Sequence, residues 1–422
     1  MNDLSTWDWE TGEKCLADLN QWRSDYNWVE EPAISPDGEK IAAIVNLDAA
    51  EFNVCVNGRL WETEVNFEKA WYLQFSPDGR LTAIVSQDMA WTLCLDGVPW
   101  ENSFDYLWNT RFSSDGSVIA AAFQAGGEYG LIVNDVPWEN LFSNLTGMCL
   151  SDDGQRCAAV VQKEDCGETD LVKFQAGVYT VAVDGEPWPR NFTNVWGMAF
   201  SPDNNRLAAE VRLNLYDYTL AVDGKPWDQT FAAVWQPVFH PVRGTVVAPV
   251  RTGGKWGLAE DGVVIWKTEF VQCWHQMIHP GSGRIAAVVA PAFGKWTVAV
   301  DGEPWPVRFG DMVADAVFSP DGRSVAALGV ENGVYRVVVD GEAWPEKFDM
   351  AWAPVFSSDG KTVAARVEKK GRYTIAVNGK VWDRHCQAVG EPVFSPDGGR
   401  VLFKSVEEGK YYRRVFAVND IV

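Results

Sequence analysis

A unit of about forty residues recurs along most of this 422-residue chain. Its clearest copy reads Phe318-Ser319-Pro320-Asp321-Gly322, then Val325-Ala326-Ala327-Leu328, then Val337-Val338-Val339-Asp340-Gly341, and closes on Trp344. The first marker begins at Ser35, Ser76, Ser113, Ser151, Ser201, His240, His279, Ser319, Ser357 and Ser395, at intervals of 41, 37, 38, 50, 39, 39, 40, 38 and 38 residues. The second keeps step at Asn57-Gly58, Asp96-Gly97, Asn134-Asp135, Asp184-Gly185, Asp223-Gly224, Asp261-Gly262, Asp301-Gly302, Asp340-Gly341 and Asn378-Gly379, with a degenerate tenth copy at Asn419-Asp420. One such unit cannot bury its own hydrophobic face, so copies must stack, and this period with strand-like content specifies propeller blades.

Turn chemistry assigns the strands. Ser, Pro, Asp and Gly in that order suit a type I turn between a first and a second strand. Asp-Gly or Asn-Gly suits a two-residue type I′ hairpin, whose central positions both need φ > 0, between a third strand and a fourth beginning near Trp227 in its copy. Pro99, Pro137, Pro187, Pro226 and Pro304 each follow that hairpin by one residue. A proline donates nothing to a ladder, so the fourth strand is the outer edge. The second strand carries Ala42-Ala43, Ala158-Ala159, Ala208-Ala209, Ala286-Ala287, Ala326-Ala327 and Ala364-Ala365. Small residues there need large ones opposite, and the repeated Trp residues fill that space between blades.

The expected fold is all-β, a β-propeller of about ten four-stranded antiparallel blades over residues 28–422. Residues 1–27 form a separate segment. The last repeat, from Val401, lacks room for a fourth strand, and the N-terminal segment supplies it as the closure of the ring. Nothing resembling a linker separates the repeats, which favours one ring. Two five-bladed rings are the alternative and would need a second closure near residues 200–240.

Composition bounds the chemistry. Fifty-eight acidic against 36 basic residues leave a formal charge of −22, which repels nucleic acid and anionic lipid headgroups. The start of the chain has neither the basic nor the apolar region of a secretory signal, and no apolar run is long enough to span a bilayer. The eight Cys show no C-x-x-C pairing. Cys55 and Cys94, two residues before the second turn, read as buried apolar residues in a reducing compartment, so the expected location is cytoplasmic.

No nucleophile elbow, P-loop or dinucleotide fingerprint is present. The turn position accounts for Asp37, Asp78, Asp321 and Asp397 without a cation. His240 and His279 lie one repeat apart, which leaves a shared ligand open, although four His do not make a metal site by spacing. The 22 Trp read first as packing, and Trp91, Trp256 and Trp296 fall on third strands. Candidate partner contacts are therefore sought where the unit is broken. They are Trp7 and Trp9 in the acidic N-terminal segment; Lys163, Glu164, Asp165, Glu168 and Asp170 in an insertion of about ten residues; and Trp274 and His275 in the seventh repeat. The insertion is expected to be an exposed loop between the second and third strands. Neither catalytic, cofactor nor metal residues are assigned.

The Phe-Ser-Pro-Asp-Gly-Arg-x-Val-Ala-Ala pattern resembles the TolB-type, WD-like propeller repeat over nearly all of residues 28–422. The extra N-terminal domain of TolB and the hydrolase domain of prolyl-oligopeptidase relatives are missing. More narrowly, size, Trp content and repeat-only architecture resemble the tryptophan-rich D subunits of the Tmc transmembrane electron-transfer complexes of sulfate-reducing bacteria. That resemblance implies a cofactor-free cytoplasmic subunit beside an iron–sulfur protein, a membrane cytochrome b and a periplasmic multihaem cytochrome c. The expected function is a non-catalytic subunit docking on such an assembly. The alternatives are a glycan- or peptide-binding propeller or enzyme using a central channel, and a general protein–protein scaffold.

Overall fold

The computed structural model describes residues 3–164, 166 and 170–421. The fold is all-β, a β-propeller of ten antiparallel blades. The chain divides into two compact units. Leu16–Thr230 carries blades 1 to 5, spanning 28–60, 69–99, 106–137, 145–187 and 194–226. Asp3–Cys15 with Phe231–Val422 carries blades 6 to 10, of which the first four span 233–270, 272–304, 312–343 and 350–381. Blade 10 spans 388–417, and Gly12–Asp18 is its outermost strand, beside Lys410–Ala417.

Each turn is closed by its own side chains. In blade 8, Gly322 N–H donates to Ser319 O at 2.9 Å. Ser319 Oγ donates to Asp321 Oδ1 at 2.6 Å and accepts from Ser324 N at 3.0 Å. The Ser319 hydroxyl, followed by the Arg323 N–H, holds the Asp321 carboxyl below its usual range. These aspartates are fully used as turn residues. In the second turn, Asp340 and Gly341 have φ of 49° and 84°, the type I′ signature. Asp340 Oδ1 accepts from Val325 N at 2.9 Å, tying the hairpin to the start of the second strand. Asn57, Asp96, Asn134, Asp184, Asp223, Asp261, Asp301 and Asn378 make the same bond in their blades.

Three local expectations are corrected. The fourth strand starts directly after the hairpin, at Lys225–Pro226 in blade 5, and is only two residues long, as are the proline-free Arg59–Leu60 and Lys380–Val381 of blades 1 and 9. Asn419-Asp420 forms no hairpin: Val418 N–H bonds to Gly399 O and the chain turns into the helix Val418–Ile421. The insertion is not only loop, since Asp170 caps a short helix, Leu171–Ala176, by accepting from Lys173 N at 2.9 Å. The segment 1–27 also contains a helix, Leu19–Asp25, capped by Asp18 and carrying the buried Trp22.

The outer Trp of one blade packs on the second turn of the next. A Cβ built on Gly97, Gly224 or Gly341 would meet the Trp61, Trp188 or Trp305 side chain at 3.3–3.4 Å. Trp22 takes the same place over Gly58 of blade 1. The inter-blade cores combine this Trp with the paired alanines; Trp344, Phe348, Ala326, Ala365 and Ala376 form one across blades 8 and 9. Ala327 lies fully buried in the preceding core with Phe309, Val313 and Val338. Ala327→Leu is expected to overpack that core and cost about 1–3 kcal/mol in urea unfolding. An unchanged midpoint would mean that the alanine pair is not a packing requirement.

The first strand is interrupted in a regular way. Its pairing with the second strand slips at Trp71/Gln74, Trp108/Arg111, Trp274/Met277 and Ala314/Val317. At each slip one residue adopts positive φ: Tyr72 53°, Asn109 60°, His275 51°, Asp315 50°. These β-bulges re-aim the flanking side chains out of the sheet. In blade 6 Pro237 falls at this place and splits the strand into Ala233–Val234 and Val238–Phe239.

Candidate binding site

The bulges create a second Trp series that repeat spacing alone did not separate from the first. Trp71, Trp108, Trp196 and Trp274 lie on first strands, and Trp235 and Trp352 follow the first half of the split first strands of blades 6 and 9. Trp196, Trp235 and Trp274 are 40%, 44% and 36% exposed, against 9% for Trp344 of the outer series. Trp71, Trp196, Trp235 and Trp274 each rest one face on an aromatic residue near the start of the third strand of their own blade. Trp71 stacks on Trp91 at 4.0 Å, Trp235 on Trp256 at 5.4 Å and Trp274 on Trp296 at 4.8 Å between centroids. Such pairs hold a large ring rigid while leaving its other face open, the form of a binding platform.

In the second unit two of these platforms border grooves. One, of about 480 Å³, is lined by Trp235, Gln236, Val238, Trp274, His275 and Gln276. Gln276 Nε2 donates to Gln236 O at 2.7 Å and joins blades 6 and 7 beneath it. The other, of about 530 Å³, lies between blades 7 and 8 and includes Trp274, His275, Val288, Trp296, Asp311 and Asp315 in its walls. Trp274 and His275 form the ridge shared by both. His275 stands at the bulge with positive φ, which carries it to the rim.

Two blades further on, the same framework is filled from within. The Arg366 guanidinium carbon sits 3.8 Å from the Trp352 ring centroid, and Nη1 donates to Val389 O at 3.2 Å. Burial lowers the Arg366 pKa, while Glu391 on blade 10 and then Tyr373 act to raise it. Arg366 pairs with Ile375 across the second and third strands, as Val288 pairs with Val298 in blade 7.

The remaining candidates stand apart from these grooves. Trp7 and Trp9 stack on each other at 6.1 Å, and Trp9 Nε1 donates to Leu4 O at 2.8 Å. Between them Asp8 O accepts from buried Arg413, so the segment is anchored on blade 10. Lys163 and Glu164 both bond through their amides to Val178 O, and Glu164 also meets Lys173 at 3.9 Å. Asp170 is the helix cap. Asp165 and Glu168 lie outside the described residues.

His240 and His279 replace the turn serine and do its work. Nδ1 of His240 accepts from Val242 N and Arg243 N, and its Nε2 bonds to Gly283 O of the next blade at 3.2 Å. His279 likewise bonds Ser282 N and Pro320 O. Both ring nitrogens are thus occupied by backbone, which leaves neither histidine a free nitrogen for a shared ligand. Among the described residues no group of three or more His, Cys, Asp or Glu is placed to hold a metal ion.

Glu210 is a buried carboxyl on the second strand of blade 5, at the position of Val288 and Arg366. Burial pushes its pKa up to about 7. A raised folded-state value adds stability below the unfolded-state value, and that stability is lost as pH rises through about 7. Glu210→Gln is therefore expected to be more stable than the parent above that pH, by on the order of 3 kcal/mol at most, and nearly equal to it at pH 4. Urea unfolding of both proteins from pH 4 to 8 checks this; a stability difference that does not change with pH would refute it.

Fold and site together define a propeller with an exposed aromatic ridge on blades 6 and 7. No protein-family model and no curated protein matches the chain. Among solved structures it is similar to a eukaryotic initiation factor, at 10% identity and a TM-score of 0.48, over 80% of this chain and 93% of that one. It is also similar to the Dos1 propeller, at 11% identity and a TM-score of 0.35, over 98% and 95%.

Proposed function

We propose that the protein is a non-catalytic propeller subunit that docks on a larger protein assembly through the Trp235–Trp274 edge of blades 6 and 7. The propeller fold is consistent with a protein-interaction scaffold. The observation that carries the docking is the half-exposed Trp pair, each ring backed by a second Trp and flanked by a groove. Rigid aromatic anchors of this kind dominate interface energies. The finer proposal is that the assembly is a membrane-bound electron-transfer complex of the Tmc type, with this chain, built on TolB-type, WD-like repeats, on its cytoplasmic side. Cofactors then belong to the iron–sulfur and cytochrome b partners. Its support is the sequence resemblance in Trp content and repeat-only architecture. No helix among the described residues is long and apolar enough to cross a membrane, so in this proposal the membrane contact is made by the partners.

Purification of the native assembly with a visible spectrum tests both levels. Haem and cluster absorbance should co-purify with the parent and be lost with the double variant Trp235→Ala, Trp274→Ala, whose thermal unfolding should match the parent within a few degrees. A parent protein that elutes alone would refute docking, and a cofactor-free assembly would refute the redox identity. A glycan ligand in the same grooves is the second reading, favoured by the Trp274–Trp296 platform beside Gln236, Gln276 and Asp311. Binding on a glycan array that Trp274→Ala abolishes would establish it.

A further inference from the structure

The repeat supplies an internal control for the groove between blades 7 and 8. Between blades 9 and 10, Trp352, in the break of the split first strand, is covered by a guanidinium from the second strand, Arg366. The carboxylate at the bulge position of the following blade, Glu391, is its electrostatic partner. Between blades 7 and 8 the corresponding residues are Trp274, Val288 and Asp315. Trp and carboxylate are kept, while the cation is replaced by a valine that forms the floor of a cavity of about 530 Å³. Among the described residues the lining holds two carboxylates, Asp311 and Asp315, and no Lys or Arg. Asp311 spends one oxygen on Gly333 N at 2.9 Å. Asp315 is exposed at its bulge. Trp274 is braced from behind by Trp296, which fixes the plane on which a flat cation would stack.

We infer that this groove receives the guanidinium of an arginine side chain carried by a polypeptide segment of a partner protein. The inference rests on the docking reading above and names the chemistry recognised there. Stacking on Trp274 supplies the cation–π contact, and Asp315, with the spare oxygen of Asp311, accepts the N–H donors. A chain of charge −22 attracts a basic segment from a distance and orients it on approach. Arginine fits better than lysine because a planar guanidinium can stack and hydrogen-bond at once, as Arg366 does on Trp352 and Val389.

The test uses the full chain and capped five-residue peptides with a central arginine, lysine or citrulline, followed by calorimetry and Trp fluorescence. The arginine peptide should bind, with the citrulline peptide at least about tenfold weaker because the charge and two N–H donors are lost while the planar shape is kept. Asp315→Asn should weaken the arginine peptide by a similar factor. Val288→Arg, which rebuilds the Arg366 arrangement, should abolish binding; if that variant does not fold, Asp315→Asn and Trp274→Ala decide. Equal binding of the citrulline peptide, or no effect of Asp315→Asn, overturns the inference. Arginine amide binding as tightly as the peptide overturns the polypeptide source. An Asp315→Asn chain that still joins the native assembly, while the Trp235→Ala, Trp274→Ala chain does not, overturns the arginine and leaves docking standing. A peptide-binding protein that elutes alone does the reverse.

Discussion

Arg414→Ala is expected to destabilise the protein by about 1.5–3 kcal/mol, because it removes a fully buried side chain and its charge-assisted hydrogen bonds to two partly exposed carboxylates. The Arg414 side chain is fully buried on the third strand of blade 10. Its Nε donates to Glu13 Oε2 at 3.2 Å, and its other nitrogens reach Glu407, Ser405 and the Cys386 thiol. Glu13 belongs to the outermost strand, Gly12–Asp18, so this guanidinium fastens a strand from the start of the chain to the last blade. Burial would raise the Glu407 carboxyl, but hydrogen bonds from Arg384 and Arg414 hold it below its usual range. Arg384 bridges the same two glutamates from the surface, where a salt bridge is worth at most about 1 kcal/mol. Arg384→Ala should accordingly cost less than Arg414→Ala in guanidinium-chloride unfolding. Hydrogen exchange should show Gly12–Asp18 losing protection first in the Arg414 variant. Equal costs for the two variants would place the fastening elsewhere.

Trp344→Ala is expected to cost about 3–5 kcal/mol, through lost burial and the cavity left behind. The ring fills the space between blades 8 and 9, among Ala326, Leu328, Val337, Phe348, Ala365 and Ala376. Those neighbours are small or already seated in strands, so the site cannot collapse around the void. The contrast is Trp235→Ala, on the exposed series, where less than about 1 kcal/mol is at stake because the ring is already half in water. The pair therefore separates packing from binding by measurement. Calorimetric unfolding should show a drop of several degrees for Trp344→Ala and almost none for Trp235→Ala; similar losses would mean that both series are structural.

Much of the blade was legible from local chemistry. Asp340-Gly341 must turn because its φ values suit little else, and Ser319 and Asp321 bond within five residues of themselves. His240 and His279 were harder, since a histidine in place of serine reads as a ligand until the backbone donors on Nδ1 are seen. The Trp274-His275 break was visible in sequence, but Trp235 and Asp315 were not, although the 39-residue step from Trp235 to Trp274 was a usable signal. Arg413 and Arg414 look like ordinary surface charge in the sequence, and both are buried.

The sequence by itself determined the number of blades, the order of strands, both turn types and the proline-marked outer edge. These depend on hydrogen bonds and φ values within one repeat, which residue identity dictates directly. Only the tertiary structure decided which Trp series is packed and which is exposed, which arginines are buried, and that the place of Arg366 is empty above Val288. Those properties arise where one blade meets the next and where a bulge re-aims a side chain, so they depend on register between segments some forty residues apart, which no local pattern records.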